Sequence, residues 1–165
     1  MKKSLVFAAI AAAAFGTSAQ AATITVLPGQ LESVFAKAQP GDVLVLQGTF
    51  GRDILQNRSF STRVTIDARG ATFPQGIIIR DSSNVTVLGG TFGNSTAALN
   101  SGRAMWLNRT NNVTITGSTF IGAGGSGAGQ GIIVDASRNL AIRSSNFSGF
   151  KSGFSLYGAR NAILD

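Results

Sequence analysis

From about residue 43 onward, apolar and small polar residues alternate in short runs, and the runs recur. Asn84-Val85-Thr86-Val87-Leu88-Gly89-Gly90-Thr91-Phe92 has counterparts in Asn112-Val113-Thr114-Ile115 to Phe120 and in Asn139-Leu140-Ala141-Ile142 to Phe147. An earlier copy, Val43-Leu44-Val45-Leu46 to Phe50, lacks the Asn but keeps the seven-residue step from first aliphatic residue to Phe. Val64-Thr65-Ile66-Asp67 to Phe73 carries two extra residues, and a sixth copy opens at Asn161-Ala162-Ile163-Leu164. The copies start at Val43, Val64, Val85, Val113, Leu140 and Ala162, in steps of 21, 21, 28, 27 and 22. Alternation of period two predicts strands with one buried face, and a repeat of this length predicts a stacked solenoid. No helical periodicity lies between the copies.

Each unit carries a second apolar run ahead of the Asn: Ile77-Ile78-Ile79-Arg80, Met105-Trp106-Leu107-Asn108, Ile132-Ile133-Val134-Asp135 and Phe154-Ser155-Leu156-Tyr157. Alternation turns the first and third residue of each run inward. The others form two outward columns, Ile78/Trp106/Ile133/Ser155 and Arg80/Asn108/Asp135/Tyr157. A four-residue bend joins each run to the next strand and ends on the ladder Asn (Asn84, Asn112, Asn139, Asn161). Asn suits a bend because it tolerates left-handed backbone and its amide can bond to copies above and below. The Phe column is expected to stack in the core. The steps of 28 and 27 place about six extra residues within 93–103 and 121–130; the second insertion, rich in Gly, is expected to be flexible.

Ahead of the repeats, Thr23–Val26 predicts a strand and Gln30–Gln39 a helix, with Leu31, Val34, Phe35 and Ala38 on one face. Such a helix is suited to cap the first coil, whose edges and interior water would otherwise reach. Lys2 and Lys3, the apolar run from Leu5 to about Phe15, and Ala19-Gln20-Ala21 together read as a secretory signal peptide over 1–21. The apolar run is too short to span a bilayer. The expected organisation is therefore a leader at 1–21, a strand and capping helix at 22–41, and coils at 42–165. The repeat is interrupted at Asp165 before its Phe, which suggests the N-terminal portion of a longer protein.

The chain has neither Cys nor His. This removes disulfides, thiolate metal sites and the commonest general base. Of 14 Lys and Arg, 12 remain beyond residue 21 against 7 Asp and Glu, a balance of +5, and ten of the 12 are Arg. A surplus of Arg favours anionic partners. In an exported protein that points to acidic polysaccharide or a cell surface rather than nucleic acid, although solubility alone also accounts for the charge.

Val26-Leu27-Pro28-Gly29, Ala38-Gln39-Pro40-Gly41-Asp42-Val43-Leu44-Val45-Leu46 and the Gly-Ile-x-Ile … Asn-Val-Thr-Ile repeats resemble the right-handed parallel β-helix proteins of the pectin lyase-like superfamily, over essentially the whole chain beyond the leader. The resemblance implies an all-β, right-handed parallel β-helix with a short N-terminal capping helix. It leaves activity open among lyases, hydrolases, esterases and non-catalytic surface proteins. A polysaccharide-acting protein is expected, first as part of an acidic-glycan lyase, alternatively as a non-catalytic carbohydrate-binding or adhesion protein.

The candidate substrate-binding residues are Arg80, Trp106, Asn108, Arg109, Asp135 and Tyr157. An outward Trp beside polar groups suits sugar stacking; the alternative is that segment 93–103 or a later one folds over Trp106 as a small satellite core. The paired carboxylates of polygalacturonase-like hydrolases have no counterpart at Asn100-Ser101-Gly102 or Gly129-Gln130-Gly131. For a lyase, Lys151, Tyr157 and Arg143 are the catalytic candidates, and Asp81 and Asp135 candidate ligands for Ca²⁺. Aligned Thr65, Thr86 and Thr114 also raise ice binding, a column that breaks at Ala141.

Overall fold

The computed structural model describes residues 20–93, 102–124 and 129–165; most of the expected leader, residues 1–19, lies outside them. The described residues begin with β1 (Thr23–Val26), α1 (Leu31–Lys37) and β2 (Val43–Thr49). It continues through β3 (Asp53–Gln56), β4 (Ser59–Phe73), β5 (Ile77–Arg80), β6 (Ser83–Leu88) and β7 (Thr91–Gly93). Two further coils hold β8 (Arg103–Asn108), β9 (Asn111–Thr116) and β10 (Thr119–Ile121), then β11 (Gln130–Asp135), β12 (Arg138–Arg143) and β13 (Asn146–Ser148). β14 (Ser152–Tyr157) and β15 (Arg160–Leu164) begin the next. This is a parallel β-solenoid of about five turns.

Three faces enclose the core. β3, β5, β8, β11 and β14 stack as one parallel sheet. β2, β4, β6, β9, β12 and β15 form the second face, and the end of β4 with β7, β10 and β13 forms the third. Like residues pair with like: Val64 with Val85, Val85 with Val113, Val113 with Leu140 and Leu140 with Ala162. Phe50, Phe73, Phe92, Phe120 and Phe147 stack through the interior with ring centroids 4.6–5.1 Å apart.

Of the two residues that lengthen the copy at Val64, one is taken up by register, Val43 pairing with Thr65 and not with Val64, and the other by a bulge. Val45 pairs with Asp67 but Gln47 with Gly70. The Asp67 carboxylate accepts bonds from Nε (2.9 Å) and Nη2 (2.6 Å) of Arg69 within that bulge. This pairing holds the Asp67 carboxyl below its usual range, the hydrogen bond being the main cause.

The capping helix is shorter than its periodicity predicts. Pro40 disfavours helical backbone at Gln39, and Ala38 is already extended at φ −55°, ψ 143°. Leu31 and Phe35 are buried, with Phe35 edge-on to Phe60 at 5.5 Å. Glu32 Oε1 accepts the Ile54 N–H (2.6 Å), so the helix also satisfies the open edge of β3. Arg58 donates to the Ala36 carbonyl (2.6 Å) and to that of Ala38, at the end of α1. Among the described residues no helix is long and apolar enough to cross a membrane.

Candidate functional site

The outer face of the five-stranded sheet carries two in-register columns. Ile54, Ile78, Trp106, Ile133 and Ser155 make one. Gln56, Arg80, Asn108, Asp135 and Tyr157 make the other. From Arg80 to Tyr157 the strip covers four strands, about 15 Å at the usual strand spacing.

The polar column is internally bonded. Arg80 Nε donates to Gln56 Oε1 (2.6 Å) and Asn108 Nδ2 to Asp135 Oδ2 (3.0 Å). These bonds fix the side chains before any ligand arrives and leave Tyr157, 57% exposed, at one end. In the apolar column Ile78 is buried between Ile54 and Trp106 despite facing outward. Trp106 is half-buried. The guanidinium of Arg103 lies over its ring at 4.2 Å, so one side of the indole is already covered. Desolvation first, and Arg52 second, push the Arg103 pKa down. The indole N–H is buried and has no hydrogen-bond partner among the described residues.

At one margin of this face the chain bends toward the second face. Each bend opens and closes in left-handed backbone: Asp81 and Asn84, Arg109 and Asn112, Ala136 and Asn139, with Gly158 and Asn161 repeating the pattern. Inside the bends Ser82, Thr110 and Ser137 are buried, and Ser137 Oγ accepts the Thr110 N–H at 2.9 Å. The Asn residues bond from coil to coil. Asn112 Nδ2 donates to Asn84 Oδ1 (2.5 Å) and Asn161 Nδ2 to Asn139 Oδ1 (3.0 Å). The ladder steps sideways once, where Asn139 Nδ2 donates to Asn111 Oδ1 (2.8 Å) because Arg63 occupies the oxygen of Asn112.

Arg109 grips Asp81 through Nε (2.6 Å) and Nη2 (2.7 Å). The same bond holds the Asp81 carboxyl below its ordinary range. Arg109, Arg138 and Arg160 line an open cleft of about 500 Å³ along the bends. A smaller one, about 330 Å³, continues from it past Asp81 and shares Arg109, Asn111 and Arg138. Arg138 and Arg160 are functional candidates that sequence reasoning missed. Both precede a ladder Asn, and that shared repeat position is the signal that marks them.

The catalytic candidates lie apart. Lys151 precedes β14 and Tyr157 ends it, so about 17–20 Å of strand separates them. Arg143 ends β12 on the second face. Lys151 opens instead on a cleft of about 540 Å³ with Arg103, Gln130, Ile133 and Ser152. The glycine-rich insertion borders this cleft, but its residues 125–128 lie outside the described residues, as do 94–101 of the other insertion.

For Ca²⁺, no group of three or more acidic side chains forms among the described residues. Asp81 has both oxygens on Arg109, and Asp135 lies about two strand spacings, roughly 10 Å, away along the stack. These residues do not fit a shared Ca²⁺ cage. The Thr column is also occupied: Arg63 Nη1 donates to Thr86 (3.3 Å) and to Thr114, so those hydroxyls form no free flat array.

The family model for a right handed beta helix region matches residues 54–165. The chain belongs to the right-handed β-helix family. The match begins within β3 and takes in every residue of both outward columns from Ile54 and Gln56 on, together with all four bends. The strand and helix of the cap precede it. No curated protein and no solved structure gives a significant match.

Proposed function

We propose that this is an exported β-helix protein that binds acidic polysaccharide along the outer face of its five-stranded sheet. The observation that carries the reading is the register of Arg80, Asn108, Asp135 and Tyr157 beside Trp106. A row of polar groups, three of the four already bonded, next to a half-buried aromatic ring matches what a sugar chain needs, hydroxyl and carboxylate partners beside an apolar surface. Export is read from Lys2, Lys3, the apolar run and Ala19-Gln20-Ala21. With β-strands repeating along one axis, an extended polymer is a more natural ligand than a compact molecule.

A lyase reading has one observation in its favour. Lys151, a candidate base, shares a cleft with Arg103, a candidate partner for a uronate carboxylate. Incubating the protein with a panel of acidic glycans, while following Trp emission and unsaturated product together, separates the two readings. Binding predicts an emission change without product, abolished or weakened in Arg80→Gln/Asn108→Ala. Product formation lost in Lys151→Ala favours the lyase. No change with any acidic glycan overturns both.

A further inference from the structure

The bends hold a second feature, which the strip on the sheet does not use. Arg138 and Arg160 are direct partners in adjacent parallel strands, and Asn111 precedes them in the same column. Like charges placed opposite one another on neighbouring strands oppose folding. Arg109 is neutralised by Asp81, yet among the described residues neither the Arg138 nor the Arg160 side chain has a carboxylate or any other hydrogen-bond partner. Both are exposed and both line the same open cleft. The hydroxyls beneath them are already spent, Thr110 and Ser137 on each other and Ser137 also on the Asp135 carbonyl at 2.9 Å. The groups left facing outward are two guanidiniums one coil apart, a spacing of about 4.8 Å.

We propose that this corner is an anion rail: Arg138 and Arg160 take successive acidic groups of a linear polyanionic glycan lying parallel to the solenoid axis. Guanidinium forks suit carboxylate and sulfate, and two of them in line select a polymer over a single ion. None of the residues lining the cleft is aromatic. Single-stranded nucleic acid, which binds basic grooves by stacking bases on aromatic rings, therefore lacks its platform here. The proposal takes its glycan class from the function proposed above, but its residues are separate from the sheet-face strip.

The test is calorimetric titration of the full chain with an oligogalacturonate, its methyl-esterified counterpart, single-stranded DNA and inorganic sulfate, over a range of salt. Wild type is expected to prefer the acidic oligomer to its ester and to sulfate. Arg138→Gln/Arg160→Gln should weaken acidic binding at least about tenfold and lower the salt slope by about 2, one per cation. The same variant should melt no lower than wild type, since it loses a repulsion; a purely structural role predicts a lower melting temperature. Undiminished binding with an unchanged slope overturns the rail. If binding is undiminished here but lost in Arg80→Gln/Asn108→Ala, the rail fails and the sheet-face reading stands. Equal affinity for DNA overturns the glycan class, and equal affinity for sulfate overturns the polymer requirement.

Discussion

Phe92 is the sharpest probe of how the solenoid holds together. It is fully buried and lies between Phe73 at 5.0 Å and Phe120 at 5.1 Å, with planes within 20° of both. Phe→Ala in a packed core costs about 3–5 kcal/mol. Two stacked neighbours lose a partner, at about 0.5–1.5 kcal/mol each. The terms overlap, so about 5 kcal/mol is expected for Phe92→Ala. Phe147 stacks at 4.6 Å on Phe120 but is only half-buried, and about 2 kcal/mol is expected there. Urea unfolding followed by circular dichroism measures both. With a slope near 2 kcal/mol per M, Phe92→Ala should lower the midpoint by about 2.5 M and Phe147→Ala by about 1 M. Coils touch only their neighbours, so a lower slope in Phe92→Ala would mean that the array has split there. A midpoint shift for Phe92→Ala no larger than that for Phe147→Ala would refute the stacked core.

Three further outcomes follow from single contacts. Asp42, buried, accepts the amide N–H groups of Ala22 (2.8 Å) and Gln39 (2.7 Å), so Asp42→Ala should cost about 2–4 kcal/mol by urea unfolding and expose the cap to proteolysis first. Asp53 faces inward beneath the helix, and its carboxyl is pushed up by desolvation first and by Glu32 second. A raised acid contributes stability that is complete below the unfolded value, about 3.9, and is lost as pH rises through the folded one. Asp53→Asn should therefore melt above wild type at neutral pH, with the gap closing toward pH 3; a gap independent of pH contradicts this. Gly149 has φ +70°, and a Cβ there would meet the Gly122 carbonyl oxygen at 2.2 Å. Gly149→Ala should lose at least about 2 kcal/mol and unpair Gly122 from Ser148, read as faster amide exchange at Gly122.

Much of this architecture is legible from the chain because a solenoid writes its contacts as repeats. Asn84, Asn112, Asn139 and Asn161 take the left-handed backbone their residue type suggests, at φ 54–60°. The Phe column and most inward aliphatic residues follow from the repeat; the copy at Val43 is the exception, since all four of its residues are apolar and Leu44 and Leu46, one position later than the repeat implies, face the core. The first bend position is different: Asp81, a residue type that tolerates left-handed backbone, is joined there by Arg109 and Ala136 at φ 46–50°, although neither of those two side chains announces it. There the stacked coils, not the residue, impose the conformation. Arg63 reaches Asn112 and Thr114, about fifty positions away, a contact with no local signature. The sheet-face residues were legible because register follows from the repeat. That the segment ending at Arg103 could cover Trp106 was one of two expectations; that the guanidinium itself lies on the ring depends on how a long side chain turns, which the repeat does not encode.

The most direct test of the account is amide hydrogen exchange, followed by mass spectrometry, with and without a saturating acidic oligosaccharide. Added protection is predicted at the ends of β8, β11 and β14 and in the bends 109–111, 136–138 and 158–160, with none at Thr86 and Thr114 on the second face. Protection on the Thr face, or none at the bends and strand ends, would contradict it.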